Sequence, residues 1–254
     1  MLSEQFLIEV KLKGELIEDR SVYPFSLNAF RDFTSVRLHP KVTYFVGENG
    51  SGKSTLLEAI AAACGFDPEG GTRNFGFSTR ASRSGLDRYL RLSRGVRKPR
   101  DGYFLRAESF YNVATEIEAL DDDSELGPLG VRPPPVIDAY GGTSLHEQSH
   151  GESFLALLMD RFGGDSLFIL DEPESALSPS RQLSMLRRMR ELTNRNCQFL
   201  IATHSPIVMA YPDADILVLS DEGLKPTAYE DTEHFQVTKS FIGDRERMLR
   251  ELFA

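Results

Sequence analysis

Apolar positions along the chain occur in two patterns, short unbroken runs and longer stretches with helical spacing. The unbroken runs are of the kind that forms parallel strands buried on both faces. They are Val42–Val46, Ser166–Leu170, Gln198–Ala202 and Ile216–Leu219. The stretches with helical spacing are Leu56–Ala63, Phe110–Leu120, Ser153–Phe162 and Pro179–Thr193. Because strands alternate with helices, the pattern predicts an α/β fold with a mostly parallel sheet covered by helices.

Two other parts of the chain have a different character. Phe6–Leu12 alternates as a strand does, and Val22–Leu27 and Val36–Leu38 are expected to be two further short strands. An antiparallel β portion is therefore predicted near the N-terminus. Gly65–Arg106 is rich in Gly, Ser and Arg, and it is expected to be irregular or to form short antiparallel strands, with one or two helical turns at Leu86–Leu92.

Residues 47–55 read GENGSGKST and lie between a predicted strand and a predicted helix. This is the phosphate-binding loop pattern G-x-x-x-x-G-K-[ST], whose glycines let successive N–H groups point at an anion. The lysine reaches the β- and γ-phosphates, the serine hydroxyl binds Mg²⁺, and the positive end of the helix faces the phosphates. The candidate nucleotide-binding residues are Gly47, Asn49, Gly50, Ser51, Gly52, Lys53, Ser54 and Thr55.

Asp171 and Glu172 end the apolar run that starts at Ser166. Asp171 is predicted to complete the Mg²⁺ shell opposite Ser54. Glu172 is predicted to polarise an attacking water as the general base. Strands that end in acidic residues are common in α/β proteins, so this pair gains its meaning from the phosphate-binding loop that precedes it.

Three further segments complete an ordered series of motifs between residues 47 and 206. Ser149–Glu152 opens a helix, Glu174–Ser178 follows the acidic pair, and His204 ends the next apolar strand. With these segments the chain resembles the ABC-class ATPases, in which they correspond to the signature motif, the D-loop and the switch histidine. The resemblance implies a P-loop fold of ABC type with a helical portion that carries the signature motif.

Other segments resemble particular branches of that class. Asp171–Glu174 and Phe30–Phe33 are similar to segments of the chromosome-maintenance, recombination-repair and overcoming-lysogenisation-defect ATPases. Phe104–Asn112 resembles a segment of a small bacterial group of predicted ATPases. The chain departs from the class at His150, where a glycine is usual, and at Ser178, where an aspartate is common.

The resemblance implies a composite site that binds ATP between two head-to-tail subunits. Ser149 and Gly151 of one subunit would face the γ-phosphate held by the other. The catalytic residues implied are Lys53, Glu172 and His204. Three weaker assignments follow from the same resemblance: Glu108 as a metal-proximal residue where the class has a glutamine, Arg31 as a nucleotide contact, and Tyr23 as the aromatic that stacks on adenine.

The whole chain, residues 1–254, is expected to be a single ATPase domain. Residues 1–63 and 166–254 are expected to form the nucleotide-binding core, and residues 64–165 an inserted basic segment with the helical signature portion. No apolar run approaches the ~18 residues of a membrane span. Met1–Gln5 shows no basic or apolar signal region and the chain has two cysteines, so a cytoplasmic location is expected.

Residues 73–106 carry a strong local excess of positive charge in a chain of net charge −9. Arginine-rich segments suit phosphate backbones, so contact with a nucleic acid or a partner protein is one interpretation. The other is a solvated face that pairs with the chain's own acidic surface, such as Glu116–Glu125. The ten basic residues are Arg73, Arg80, Arg83, Arg88, Arg91, Arg94, Arg97, Lys98, Arg100 and Arg106, opposed by Asp87 and Asp101.

Three functions remain open on the sequence. The first is a soluble ATPase that hydrolyses Mg-ATP to ADP and phosphate to switch a partner, of the repair or defence type. The second is the ATP-binding subunit of a membrane transporter. The third is a binding module, an ATP-controlled switch for a partner nuclease, toxin or DNA end with slow hydrolysis, which the basic segment 73–106 favours. A metal site formed by Asp231, Glu233 and His234 is a separate alternative to a solvated loop at that place.

Overall fold

The computed structural model describes residues 5–68, 70–72, 84–106 and 150–254. Numbered along these residues, the strands are β1 (Leu7–Leu12), β2 (Ser35–Arg37), β3 (Val42–Val46), β4 (Leu90–Arg94), β5 (Asp101–Arg106), β6 (Ser166–Asp171), β7 (Gln198–Ala202), β8 (Ala214–Ser220) and β9 (Gly223–Pro226). The helices are α1 (Asn28–Arg31), α2 (Lys53–Ala63), α3 (His150–Ala156), α4 (Pro179–Thr193), α5 (Glu233–Gly243) and α6 (Arg245–Leu252).

The main sheet has the strand order β5-β6-β7-β3-β8-β9 within the described residues. Its neighbouring strands are parallel except for β8 and β9, which are antiparallel. The predicted α/β class with a mostly parallel sheet is therefore confirmed.

Both faces of the main sheet are covered, which is why its strands read as unbroken apolar runs. Tyr44 faces the cluster formed with α3 and α4. Its neighbour Phe45 faces the opposite cluster, formed with α2 and the small N-terminal sheet. All five residues of β3 are buried. The strand thus contributes to two cores and holds the loop that follows it rigidly.

The predicted antiparallel portion near the N-terminus is confirmed as a second sheet with the order β2-β1-β4. The expected strand at Val22–Leu27 is wrong, because these residues form turns, in which Ser26 N donates to Val22 O and Leu27 N to Pro24 O. Pro24 has no N–H for a strand ladder, which explains the difference.

Segment 65–106 contains more regular structure than the sequence indicated. The helical turns expected at Leu86–Leu92 are confirmed only at Leu86–Tyr89, which is a short 3-10 turn, whereas Leu90–Leu92 belong to β4, antiparallel to β1. However, β5 is a parallel strand that pairs along its whole length with β6. The irregular or antiparallel interpretation is therefore wrong for Asp101–Arg106.

The predicted helices at 153–162 and 179–193 are present. The first begins earlier, as α3, and ends as a π-helical turn at Leu157–Arg161. In α4, Ser178 caps the helix, because its Oγ accepts a bond from Arg181 N, and Pro179 occupies the first helical position.

Candidate functional site

The candidate site lies where the parallel strands end. The loop begins at Gly47, directly after β3. Asp171 ends β6 and Glu172 follows it, and His204 lies shortly after β7. Carboxyl ends of parallel strands meet at one edge of a sheet, which is where α/β proteins bind ligands. Parallel pairing places Phe45 beside Ala202 and Asp171 beside Ala202 in register. The fold therefore brings together three segments that are far apart in sequence.

Two glycines of the loop have a positive φ and close neighbours, so a side chain would overlap a backbone oxygen at Gly47 and would be tightly packed at Gly52. Gly47 has φ of 152°, and a Cβ there would lie 2.3 Å from Leu219 O of β8. Gly52 has φ of 102°, and a Cβ there would lie 3.1 Å from Phe30 Cε2 of α1. The loop is therefore packed between β8 and α1, and its shape depends on glycine at both ends.

Lys53 and Ser54 begin α2 and hold the centre of the site. Lys53 is 4% exposed, and its Nζ donates to Gly47 O at 2.8 Å and to Glu48 O at 2.9 Å. Ser54 Oγ donates to Asp171 Oδ1 at 3.0 Å. The two motifs predicted to bind phosphate and Mg²⁺ are thus joined directly, across 117 residues of sequence.

Burial lowers the pKa of the Lys53 ammonium, and the carboxylates of Glu172 and Asp171 oppose that shift. A cation in this position makes the loop attractive to anions.

Glu172 and His204 face each other beside the loop. Glu172 adopts a left-handed backbone conformation, with φ of 51°, and its N–H donates to Ala202 O. Its Oε1 lies 3.4 Å from His204 Nε2, which is an ion-pair distance but not an aligned hydrogen bond. Burial lowers the pKa of His204, and the positive charge of Lys53 adds to the effect. A neutral imidazole therefore stands beside the candidate base at neutral pH.

Glu174 holds the backbone of His204 through a hydrogen bond, a role that the sequence did not indicate. Its Oε1 accepts the backbone N–H of His204 at 2.6 Å. Burial raises the pKa of the Glu174 carboxyl, and the backbone N–H of His204 opposes that shift. The residue was predicted to belong to the D-loop, and it also fixes the backbone of the candidate switch residue.

Arg106 is a second residue whose place the sequence did not show. It ends β5 in register with Asp171, and its Nε lies 4.0 Å from Asp171 Oδ2. Its guanidinium also donates to Glu58 Oε2 of α2 at 3.2 Å. Arg106 belongs to the basic segment in sequence, and in the structure it lies at the edge of the site. The pairing of β5 with β6 is the signal that would have found it.

The remaining predicted contacts within the described residues lie around the loop. Tyr23 is exposed, and its hydroxyl is 2.7 Å from Thr55 Oγ1, so it stands over the first turn of α2 rather than in the core. Arg31 donates to Asn28 Oδ1 at 2.6 Å, and Asn28 donates to Asp221 Oδ1 at 2.7 Å. Arg31 is therefore turned toward its own helix.

Two cavities flank the loop. One, of about 590 Å³, lies between α1, the loop and β8, and Asn49, Gly50 and Ser51 contribute to its wall. The other, of about 520 Å³, is lined by Asn49, His204 and the first turns of α5. The loop is thus open to ligands on both sides.

Some predicted site residues cannot be placed. Ser149 and Glu108 lie outside the described residues. Gly151 and His150 lie in the first turn of α3, with no description of their side chains. Arg73, Arg80 and Arg83 of the basic segment, the predicted helix Phe110–Leu120, and most of the Phe104–Asn112 segment also lie outside.

His234 does not form the metal site considered from the sequence. Within the ranges that the structure describes, no group of three or more His, Cys, Asp or Glu side chains is placed to hold a metal ion. Instead, His234 Nε2 lies 3.1 Å from His204 Nδ1. The side chain of His234, on helix α5, therefore contacts the candidate switch residue.

Comparison with known protein families gives two matches. Residues 26–119 match a family described as an AAA domain. Residues 136–210 match a family described as "AAA domain, putative AbiEii toxin, Type IV TA system". Together these ranges include the phosphate-binding loop, the acidic pair and His204.

Similar proteins fall into two groups. The chain is 26% identical over 222 residues to the energy-coupling factor transporter ATP-binding protein EcfA2 of Methanospirillum hungatei, covering 82% of this chain and 53% of that protein. It is 30% identical over 118 residues to the DNA replication and repair protein RecF of Idiomarina loihiensis, covering 44% of this chain and 32% of that protein. The chain thus spans about half the length of the first relative and about a third of the second.

Among solved structures, the SMC head domain from Thermotoga maritima aligns with a TM-score of 0.44 at 15% identity, covering 88% of this chain and all of that chain. A likeness at this level adds no argument about function. Across the described helices, none has both the length and the apolar composition needed to cross a membrane.

The ordered motifs, the contact between Ser54 and Asp171, and the two family matches agree with one another. The chain is therefore similar to ABC-class P-loop ATPases, with relatives among transporter ATP-binding proteins and RecF proteins.

Proposed function

We propose that this chain binds Mg-ATP at the loop and hydrolyses it to ADP and phosphate. The observation that carries the proposal is the hydrogen bond between Ser54 and Asp171 beside the buried ammonium of Lys53. A hydroxyl, a carboxylate and a cation in this arrangement match the needs of a phosphate chain with a bound Mg²⁺. ATP hydrolysis is the general activity of the class.

The residues present fit a bound phosphate group. Ser51 Oγ and His204 Nε2 are buried atoms that have no hydrogen-bond partner among the described residues. Buried polar atoms are normally satisfied, so orphaned atoms at one edge of a sheet indicate places for ligand oxygens. The Nζ of Lys53, which now donates to two loop carbonyls, would donate to phosphate oxygens instead of them or in addition to them.

Ser54 and Asp171 are the residues that would hold Mg²⁺, which typically takes one or two protein ligands and completes its shell with water and phosphate. When bound, the ion neutralises charge on the phosphate oxygens. Glu172 would accept a proton from the attacking water through its carboxylate, which lies beside the loop. His204 would donate a hydrogen bond from Nε2 to a phosphate oxygen.

The hydrolysis proposal is tested by phosphate release from the purified chain with Mg-ATP. Glu172→Gln is expected to lower kcat by at least about 100-fold, the range found when a general base is lost. Glu251→Gln, on the exposed face of α6, is the matched control and should keep wild-type turnover. Equal turnover by wild type and Glu172→Gln would refute the assignment of the base.

We further propose that two copies of the chain pair head-to-tail around ATP, with Ser149 and Gly151 of one copy facing the loop of the other. The motif order supports this arrangement. Light scattering of the Glu172→Gln variant is expected to show twice the monomer mass with Mg-ATP and the monomer mass without it. An unchanged mass at saturating ATP would contradict pairing of the isolated chain.

The proposed output is an ATP-dependent switch of a partner that is linked to nucleic acid, of the repair or defence type. The relation to RecF and residues 88–100 support it. Lys11 and Arg91 lie directly opposite each other on β1 and β4, and Lys11 is paired with Glu9 at 3.1 Å, so Arg91 is the residue of this pair whose charge a polyanion would contact. Arg97 pairs with Asp165 at 2.8 Å, so part of the excess charge is already neutralised within the chain.

Retention of DNA by the chain, measured with and without ATP and at rising salt, tests this output. Binding that falls steeply with salt and is weakened by Arg91→Ala supports it. Retention that is independent of salt and of Arg91 would refute it.

A second candidate function is the ATP-binding subunit of a transporter. The match to EcfA2 over most of the chain favours it. In that case the chain would co-purify with a membrane protein rather than with DNA. Cys64 and Cys197 are both buried and form no disulfide, which is compatible with the cytoplasmic location that both proposals assume.

Three further site assignments are part of the proposal. Tyr23 lies beside Thr55 and would cover a nucleotide base on the loop. Arg31 would need to leave Asn28 to reach a nucleotide. Glu108, which lies outside the described residues, is proposed as a metal-proximal residue from the resemblance alone.

A further inference from the structure

His204 has two ring nitrogens with different surroundings. Nε2 lies 3.4 Å from the carboxylate oxygen of Glu172 and is buried. Nδ1 lies 3.1 Å from His234 Nε2. A neutral imidazole carries one proton, so the partner at Nδ1 determines whether Nε2 is a donor or an acceptor.

The carboxylate of Glu172 is compatible with only one of the two tautomers of His204, which the group at Nδ1 must then stabilise. A carboxylate accepts hydrogen bonds, so an unprotonated Nε2 would place two acceptors against each other. A proton on Nε2 leaves Nδ1 as an acceptor. The facing atom, Nε2 of His234, must then be the donor.

His234 is held in position independently of His204. Thr232 begins α5, is buried, and accepts the N–H of Phe235 as the helix cap. Tyr229, just before the helix, donates from its hydroxyl to Pro206 O at 2.8 Å, in the segment that follows His204. The start of α5 is therefore tied to the same segment that carries the switch residue.

The charged groups around the two rings are compatible with neutral forms. Burial lowers the pKa of His234, with Lys53 acting in the same direction and Glu233 and Glu48 opposing it. His204 is affected similarly by burial and by Lys53, with Glu172 opposing.

We propose that His234 is a positioning residue that sets the tautomer of His204. Its Nε2–H donates to His204 Nδ1, which keeps the proton of His204 on Nε2, facing Glu172 and the mouth of the loop. Through His234, helix α5 thereby keeps the Nε2–H of His204 available to donate a hydrogen bond to the phosphate. The catalytic meaning of this arrangement rests on the proposed hydrolysis, whereas the tautomer itself does not.

The first test is nitrogen NMR of the imidazole rings in the nucleotide-free chain. The chain has five histidines, and the His204→Ala spectrum identifies the signals of His204. The proton of His204 is expected on Nε2 in the wild type and to move in part to Nδ1 in His234→Leu. A wild-type proton on Nδ1, protonation of both nitrogens, or an unchanged tautomer in His234→Leu would overturn the proposal.

The second test is turnover. His234→Leu is expected to lower kcat by about 10-fold to 100-fold, by analogy with the loss of an outer hydrogen-bond partner of a metal-binding histidine, with KM for ATP unchanged. His234→Gln places an amide donor near the same position and should restore kcat to within about threefold of wild type. Val237→Ala, on the same helix and the same cavity, is the control for disturbance of α5.

A double variant separates positioning from structural damage. In the His204→Ala background, His234→Leu should cause no further loss of kcat, because its effect acts through His204. An equal loss in both backgrounds would overturn the proposal. If the wild type does not hydrolyse ATP, the proposed function fails, while the NMR result still decides the tautomer.

Discussion

The conformation of the phosphate-binding loop can be tested by a matched pair of glycine substitutions. Gly47 and Gly50 both have positive φ, of 152° and 81°. A Cβ at Gly47 would lie 2.3 Å from Leu219 O and 2.9 Å from Ser51 Oγ, whereas a Cβ at Gly50 would meet no atom within 4 Å. The two alanine variants therefore share the backbone cost and differ in steric overlap.

The expected magnitudes follow from these contacts. An alanine forced to a positive φ costs about 1–3 kcal/mol of backbone strain, which applies to both variants. The overlap with a backbone oxygen at Gly47 adds about 1–3 kcal/mol, the usual cost of overpacking. For a chain of this size 1 kcal/mol shifts Tm by about 2–4 °C. Gly47→Ala should therefore melt about 2–12 °C below Gly50→Ala.

The assay is thermal unfolding followed by circular dichroism, together with titration of a fluorescent ATP analogue. Gly47→Ala should also bind the analogue more weakly than Gly50→Ala, because the loop must shift away from Leu219. Equal Tm and equal affinity for the two variants would refute the described packing of the loop against β8.

Three further outcomes are expected. Ser54→Ala should weaken ATP binding by about tenfold in Mg²⁺, since it loses one contact of about 1.4 kcal/mol, and should change little in EDTA. Tyr23→Ala should weaken ATP binding several-fold and Tyr23→Phe should not, because stacking needs the ring and not the hydroxyl. Nucleotide titrations of both variants measure this difference. Folding lowers the pKa of both His204 and His234, so the unfolded chain binds more protons than the folded chain just below pH 6.5. The free energy of unfolding, measured with urea, should therefore fall as the pH drops through that range. The fall should be smaller in His234→Gln.

Each of these expectations has an opposing result. An equal loss of affinity in Mg²⁺ and EDTA would remove Ser54 from the metal site. Equal affinity of Tyr23→Ala and wild type would remove Tyr23 from the nucleotide site. A pH dependence that is unchanged in His234→Gln would show that His234 does not contribute to it.

Much of the site was predictable because its signals are local. The loop motif needs glycines, a lysine and a helix start within nine residues, and Gly47 and Lys53 satisfy those needs in the structure. The acidic pair was predictable because β6 is buried on both faces and so reads as an unbroken apolar run before Asp171. Their contact followed from chain order, and it is confirmed at Ser54.

The wrong strand at 22–27 shows what local pattern does not reveal. Phe25 and Leu27 are apolar, and both pack against the core cluster that includes α2. Phe25 also contacts the ring of Tyr89, with centroids 4.9 Å apart. The apolar spacing thus serves to anchor a turn beside the loop, and Pro24 excludes a regular strand ladder.

The roles of Arg106 and His234 depend on distant parts of the chain. Arg106 reaches Asp171 because β5 pairs with β6, which begins 60 residues later. His234 reaches His204 because α5 packs against the segment after β7. Neither residue type nor spacing indicates such contacts, since they arise from tertiary packing.

The central claim is that Lys53, Ser54 and Asp171 form one Mg-ATP site, and calorimetric titration of Mg-ATP tests it most directly. Lys53→Met is the matched variant, because it keeps an unbranched side chain in the buried position and removes the charge. The wild-type chain should bind one ATP per chain, and Lys53→Met should bind at least about tenfold more weakly, the loss expected for a charge-assisted hydrogen bond. No binding by the wild type, or equal affinity in the two proteins, would contradict the account.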